Sequence, residues 1–379
     1  MNDFKILREK IGRSGCWVIK IGSAVATNDG VGLNHSRIEH WVSQIQQLHK
    51  EKKQIVIVTS GSVAEGAAQL GWQSRPKDLS KLQAAAAIGQ IGLANAWAIF
   101  FKQKKIKTAQ VLLTHDDLVN RQRYINARTT LTELLQLGVC PIINENDTVA
   151  TSELSFGDND TLAGLVCNLI EADLMVILTD QPGLKSSDPK VDPSAILIEN
   201  DVVESSNLDI GVSSGGAWGR GGMITKLRAA RLAARSATST IIASGETQNV
   251  LRDISKGLNI GTFLFSNREK IAARKQWLGS VLTPRGDIFI DLGAANAIVN
   301  NGGSLLAVGI KSIGGSFERG DVVTVRDNED VEIARGLVNY SYLECEKIMG
   351  TSSKQIEDFL GFTRGPEVIH RDNLFIEVG

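Results

Sequence analysis

Net charge, clustered cysteine and long apolar runs are what this chain of 379 residues has least of. It carries 41 Lys+Arg against 42 Asp+Glu, a formal charge of −1, so a protein that works by coating a polyanion is disfavoured. Its four cysteines, Cys16, Cys140, Cys167 and Cys345, are scattered with no CxxC spacing. That suggests neither a zinc cage nor a disulfide framework, and it fits a reducing compartment. No stretch of about 18 purely apolar residues occurs; the most apolar segment, Leu82 to Phe101, is interrupted by Gln83, Gln90 and Asn95. The first residues mix Asp3, Lys5, Arg8, Glu9 and Lys10, unlike a signal peptide. A cytoplasmic protein with no membrane association is expected. GxSxG and HExxH are also missing, and the five histidines (His35, His40, His49, His115, His370) stand apart from one another. Acyl-enzyme chemistry and zinc hydrolysis are therefore poorly supported.

What remains is ordinary globular composition, 42% hydrophobic and 22% charged, at a length suited to two domains. From Cys16 to about Phe265, short apolar runs rich in β-branched residues alternate with longer segments of helical period, which is the α/β pattern. The runs are CWVIKI (16–21), QIVIVTS (54–60), AQVLLT (109–114), VCPIIN (139–144), LMVILTD (174–180), TIIAS (240–244) and TFLF (262–265). Most are apolar on both faces, as buried strands of a largely parallel sheet must be. Crossover helices are expected over Arg37 to Lys50, Leu82 to Phe101, Asn126 to Leu137, Asp160 to Leu169 and Thr225 to Ser236.

The pattern changes after Phe265. Residues 266–285 are charged and mixed, a linker, and from Gly286 short strands follow at close spacing, predicting a small β-rich, barrel-like domain over 286–379. Charge separates the two parts. Residues 1–285 hold 33 Lys+Arg and 27 Asp+Glu, a net of +6, whereas 286–365 hold 7 and 12, a net of −5.

In open α/β sheets ligands sit beyond the carboxyl ends of the strands. Polar residues collect there after four runs: Lys20, Gly22 and Ser23; Thr59, Ser60, Gly61 and Ser62; Asn144, Glu145, Asn146 and Asp147; Thr179, Asp180 and Gln181. Any one could be plain turn chemistry. Four together point to a polar site. Lys20 lies inside a run whose neighbours are apolar, so either an anion accompanies it or the strand is an edge. Two apolar faces favour the anion.

Six of the twelve residues from Gly211 to Gly222 are glycine, and they run straight into a segment of helical period. Glycines let backbone N–H groups approach an anion, and a helix N-terminus adds partial positive charge. Lys226 falls near the first turn, where a cation opposes the macrodipole, and a phosphate would account for it. The spacing is neither GxxxxGK[ST] nor GxGxxG. Asp158, Asn159 and Asp160 open another helix and exceed what one N-cap requires. Two lysines, a glycine loop, several carboxylates and no evident general base suit phosphoryl transfer. A carboxylate acceptor, already ionised at neutral pH, would need no base at all.

VIKIGSAV, IVIVTSGSVAEG, PIINENDTVAT, FGDNDTLA, ILTDQPGL, GRGGMITK and GIKSIGGSFERGD occur in an order and at intervals that resemble the amino acid kinase family, in particular its glutamate-phosphorylating members with a C-terminal PUA domain. The resemblance covers nearly the whole chain. It implies an αβα sandwich with a mainly parallel sheet and a PUA-like barrel. It further implies ATP-dependent phosphorylation of the γ-carboxylate of L-glutamate, the first step of proline synthesis, with Mg2+ bridging the ATP phosphates and proline as feedback inhibitor. By motif, Lys20 and Lys226 would contact the transferring phosphates, with Asp160 orienting them. Ser60, Asp147 and Asn159 would hold glutamate. Thr179 and Asp180, with Arg220, Gly221, Gly222, Met223, Ile224, Thr225 and Lys226, would bind nucleotide. The residues that hold the metal are not fixed by the motifs. A homo-oligomer and a transient contact with glutamyl phosphate reductase are also implied. One departure is Arg220, where the family often has threonine, which puts the loop's nucleotide affinity in question. Two alternatives stand beside this reading: another carboxylate or carbamate kinase on the same core, and an RNA-binding PUA module. The −5 charge of 286–365 opposes the second.

Overall fold

The computed structural model describes residues 2–74, 76–149, 159–187, 192–205, 208, 222–267 and 284–376. The chain forms two compact units, Met1–Val119 with Asn126–Lys270, and Asn120–Ile125 with Ile271–Gly379. The first unit is built on eight strands: β1 (Cys16–Ile21), β2 (Gln54–Val58), β3 (Thr108–Leu113), β4 (Cys140–Glu145), β5 (Leu174–Thr179), β6 (Asn200–Val202), β7 (Ser239–Ser244) and β8 (Thr262–Phe265). Their order in the sheet is β3-β4-β2-β1-β5-β7-β8-β6. All neighbours are parallel except β7 and β8. Seven of these strands coincide with the apolar runs. The eighth, β6, reads Asn-Asp-Val and gives no apolar signal.

The helices that cover the sheet include α1 (His35–Lys50), α2 (Ser62–Gln69), α3 (Leu79–Gln103), α4 (Asn159–Ile170) and α5 (Met223–Ala233). Helix α1 starts where the Asn34 side chain accepts from Arg37 N–H, and it buries Ile38, Trp41, Val42, Ile45 and Leu48 at helical spacing. These pack with Trp17, Ile19 and Ile21 of β1 and with Leu93, Trp97 and Phe101 of α3 in one core. Side chains alternate along a strand, so Val18 and Lys20 face the other side of the sheet. There α4 packs on β1 and β5, and α5 packs on α4 and β7. The three layers are therefore helix, sheet, helix. Helix α3 is long and apolar enough by composition to cross a membrane. Its apolarity has a packing cause, because Leu93, Trp97 and Phe101 are fully buried.

The second unit centres on a five-stranded sheet of Gly286–Ile290, Ile310–Gly315, Val322–Arg326, Glu332–Leu337 and Leu374–Ile376. Ile288, Ile290, Val323, Val325, Tyr340 and Ile369 are part of its own core. Three short helices, Leu292–Val299, Tyr342–Ile348 and Ile356–Leu360, accompany the strands. The second of them was legible in principle, since Ser341 and Glu344 form a capping box at its start.

Candidate active site

Strands β4, β2, β1 and β5 are consecutive in the sheet and parallel. Their carboxyl ends point the same way, so the four polar turns picked out along the sequence come to lie side by side. β1 pairs on both sides, which removes the edge-strand explanation for Lys20. Its side chain is buried on the face that carries α4, and the anion beside it is Asp160, the second residue of that helix.

Lys20 Nζ stands 2.5 Å from Asp160 Oδ1, and Lys226 Nζ stands 3.1 Å from Oδ2. Thr225 Oγ1 lies 2.7 Å from the same Oδ2 and 2.8 Å from the carbonyl of Gly222, two acceptors for its single hydrogen. Lys20, Asp160 and Lys226 are 5%, 2% and 5% exposed, so two ammoniums and one carboxylate are withdrawn from water together. Burial alone would raise the Asp160 carboxyl, but Lys20 and Lys226 outweigh it and hold it at about 2. Burial pulls Lys226 below the usual lysine value, against the attraction of Asp160. The three buried groups keep one surplus positive charge, which an arriving anion would neutralise. Gly22 keeps that approach open: a Cβ there would lie 3.2 Å from Leu178 O and 3.7 Å from Lys20 Nζ.

A second cluster adjoins the first because Asn159 and Asp160 are consecutive. Asn159 Nδ2 donates toward Thr59 O at 3.0 Å, Ser60 Oγ at 2.9 Å and Asn144 Oδ1 at 3.1 Å. Its own Oδ1 is buried with no partner among the described residues. A buried acceptor left over in this way is uncommon and marks a place where a ligand's donor could be received. Asn144 Nδ2 donates in turn to Gln90 Oε1 of α3 at 2.7 Å. Close by in the fold, Ser62 Oγ donates to Asp147 Oδ2 at 3.0 Å, and Asp147 is buried. The turn that places Ser60 and Ser62 needs its glycine, because Gly61 has φ 120°.

The sequence-derived candidates thus fall into two groups. Lys20, Asp160, Thr225 and Lys226 meet in one, and Ser60 and Asn159 meet in the other. Thr179 is buried and donates to Asp180 Oδ1 at 3.0 Å. Asp180 lies within electrostatic reach of Lys226 and is held below the usual carboxylate range: partial burial raises it, but hydrogen bonds from Gln181 and Thr179 outweigh that. Met223 is buried, so any part it plays in a nucleotide loop falls to its backbone, whereas the Ile224 side chain is 38% exposed. Asp158, Arg220 and Gly221 lie outside the described residues. The sequence reading passed over Gln90. Its signal was a polar residue interrupting the apolar run of α3.

Comparison with known proteins accords with this geometry. The profile of the amino acid kinase family matches residues 15–244, and that of the PUA domain matches residues 286–360. A glutamate 5-kinase of Pseudomonas paraeruginosa (strain DSM 24068 / PA7) is 51% identical over 371 residues, covering 98% of this chain and 100% of that protein. A glutamate 5-kinase of Halorhodospira halophila (strain DSM 244 / SL1) is 49% identical over 375 residues, covering 98% and 99%. Among solved structures, UMP kinase from Bacillus anthracis superposes with a TM-score of 0.46 at 16% identity, over 67% of this chain and 96% of that one. With the family profile spanning its first unit and near-full-length relatives at about half identity, the chain belongs to the amino acid kinase family and carries a PUA domain behind the kinase fold.

Proposed function

We propose that this chain transfers the γ-phosphoryl group of ATP to the γ-carboxylate of L-glutamate, giving L-glutamyl 5-phosphate. The observation that carries the reading is the buried cluster of Lys20, Asp160 and Lys226, with its surplus positive charge, beside a buried amide acceptor. A carboxylate oxygen of glutamate attacks the γ-phosphorus while the bond to the β,γ-bridging oxygen breaks, and ADP leaves with that electron pair. No proton moves, so no general base is needed. Lys20 and Lys226 neutralise the charge spread over the transferring phosphoryl oxygens. Asp160 holds the two ammoniums apart at a fixed separation and stays ionised while doing so. Asn159 Oδ1 accepts from the substrate's α-ammonium, with Ser60 and Asp147 completing the glutamate pocket. Thr179, Asp180 and the loop from Arg220 to Lys226 receive the nucleotide.

Mg2+ carried on the nucleotide would add charge neutralisation between the β- and γ-phosphates. The donor set fits an ion held mainly by phosphate oxygens. Among the described residues no three His, Cys, Asp or Glu side chains gather as a cage, and Asp160 is engaged by two lysines. We read proline as competing at the glutamate pocket and the chain as a cytoplasmic homo-oligomer. The acidity of residues 286–365 supports a structural or regulatory role for the PUA domain over RNA binding.

ADP release with MgATP and a panel of glutamate, acetylglutamate, aspartate and carbamate tests the assignment. Turnover with glutamate above the other three is expected. Turnover with another acceptor and none with glutamate would defeat the substrate while leaving phosphoryl transfer standing.

A further inference from the structure

Gln90 lies in the middle of α3, a helix otherwise chosen for apolar packing, yet its side chain reaches the amide cluster of the site. The direction of every bond in that cluster is set from one end. Thr59 O is a backbone carbonyl and can only accept, so Asn159 must present Nδ2 to it and turn Oδ1 away. Asn144 must then show Oδ1 to Asn159, which leaves Asn144 Nδ2 facing Gln90 Oε1. Asn159 Nδ2 has two hydrogens for three acceptors, namely Thr59 O, Ser60 Oγ and Asn144 Oδ1. Which of them it serves depends on how firmly each is held, and Gln90 is the group that holds Asn144.

Resting on the glutamate reading above, we infer that Gln90 is a positioning residue for the substrate's ammonium: it fixes the amide of Asn144, and through it the buried acceptor Asn159 Oδ1. Asn144 is itself buried. Without an acceptor at Gln90 its Nδ2 is stranded, and the available remedy is to rotate the amide. Rotation sets Nδ2 of Asn144 against Nδ2 of Asn159, two donors face to face. Asn159 then shifts off the position at which Oδ1 meets the ligand. The phosphate side is held separately, because Lys20, Thr225 and Lys226 gather on Asp160, whereas the amide chain runs through Asn159, Asn144 and Gln90.

Steady-state kinetics on the full chain tests this. Gln90→Leu is expected to raise KM for glutamate about 10-fold or more, as follows from stranding one buried donor. KM for ATP and kcat should stay within about 2-fold, since the phosphate cluster keeps its contacts. Gln90→Glu, whose carboxylate still accepts from Asn144, should hold KM for glutamate within about threefold of the unsubstituted chain. Gln90→Met, closer in shape, serves the same purpose if Gln90→Leu does not fold. An unchanged glutamate KM in Gln90→Leu or Gln90→Met overturns the inference. So do equal rises in both KM values, or a Gln90→Glu chain as impaired as Gln90→Leu. Failure of the glutamate reading itself is seen separately, as no turnover of glutamate by the unsubstituted chain.

Discussion

Both units carry partly exposed ion pairs, such as Arg37–Glu246 and Arg128–Glu171 in the kinase unit, but a buried charge cluster sets the kinase unit apart. In the kinase unit, Lys20, Asp160 and Lys226 are buried nearly completely and stacked around one carboxylate. In the PUA unit, Arg326 pairs with Asp287 at 2.8 Å, Arg335 with Glu332 at 2.5 Å and Arg364 with Glu344 at 3.1 Å, all in partly exposed positions. Distances are similar; burial is what separates them. An exposed pair exchanges water for a partner at little net gain, about 0–1 kcal/mol. A buried cluster with an unbalanced charge loses more solvation than its internal attraction returns, so its presence points to a ligand or a transition state that makes up the balance.

The comparison breaks first at the lysines. Lys20→Ala and Lys226→Ala should each lower kcat by about 100-fold or more, the order expected for losing a preorganised charge at the transition state. A near-normal kcat in either variant would make the buried cluster merely structural. Next comes Asp160→Ala, which leaves two buried ammoniums without their carboxylate. Urea unfolding should show a loss of about 3–5 kcal/mol, and a loss as small as that of an exposed pair would erase the distinction between the units.

Acid should separate them as well. Asp160 is held at about 2 in the folded chain, against 3.8 for an ordinary aspartate. Its depressed value contributes stability that is present above the unfolded value and fades as pH falls from about 4 toward 2, by on the order of 2 kcal/mol. The urea midpoint of the unsubstituted chain should therefore drop more steeply across that interval than that of Asp160→Asn. Equal slopes would mean the carboxylate is not held by its lysines. The smallest effect belongs to the PUA unit: Arg335→Ala should change stability by less than about 1 kcal/mol and leave kcat unaltered.

Much of this contrast was legible before any coordinates. Short apolar runs marked β1–β5, β7 and β8, and those of β1, β4 and β5 are buried along almost their whole length because a central parallel strand has no polar face to show; β3, at the sheet edge, is only partly buried. Lys20 stood out for the same reason, as a charge where the strand offered none. Local signals failed where structure is set by distant partners. β6 has only three residues, two of them polar, and exists because β8 offers it a ladder. Local pattern alone could not supply the anion beside Lys20, since 140 positions of chain separate it from Asp160 and the packing of α4 on β1 joins them; only the family motifs paired the two. Gln90 was visible as an interruption in an apolar run, but its partner Asn144 lies on a different strand. Sequence spacing shows which residues are out of place and leaves open what they are out of place for.

If the buried cluster transfers phosphoryl to a carboxylate, the full chain incubated with MgATP, L-glutamate and hydroxylamine should form glutamyl hydroxamate in step with ADP, and Lys226→Ala should lose both together. ADP release that continues with no hydroxamate at any glutamate concentration would contradict that transfer.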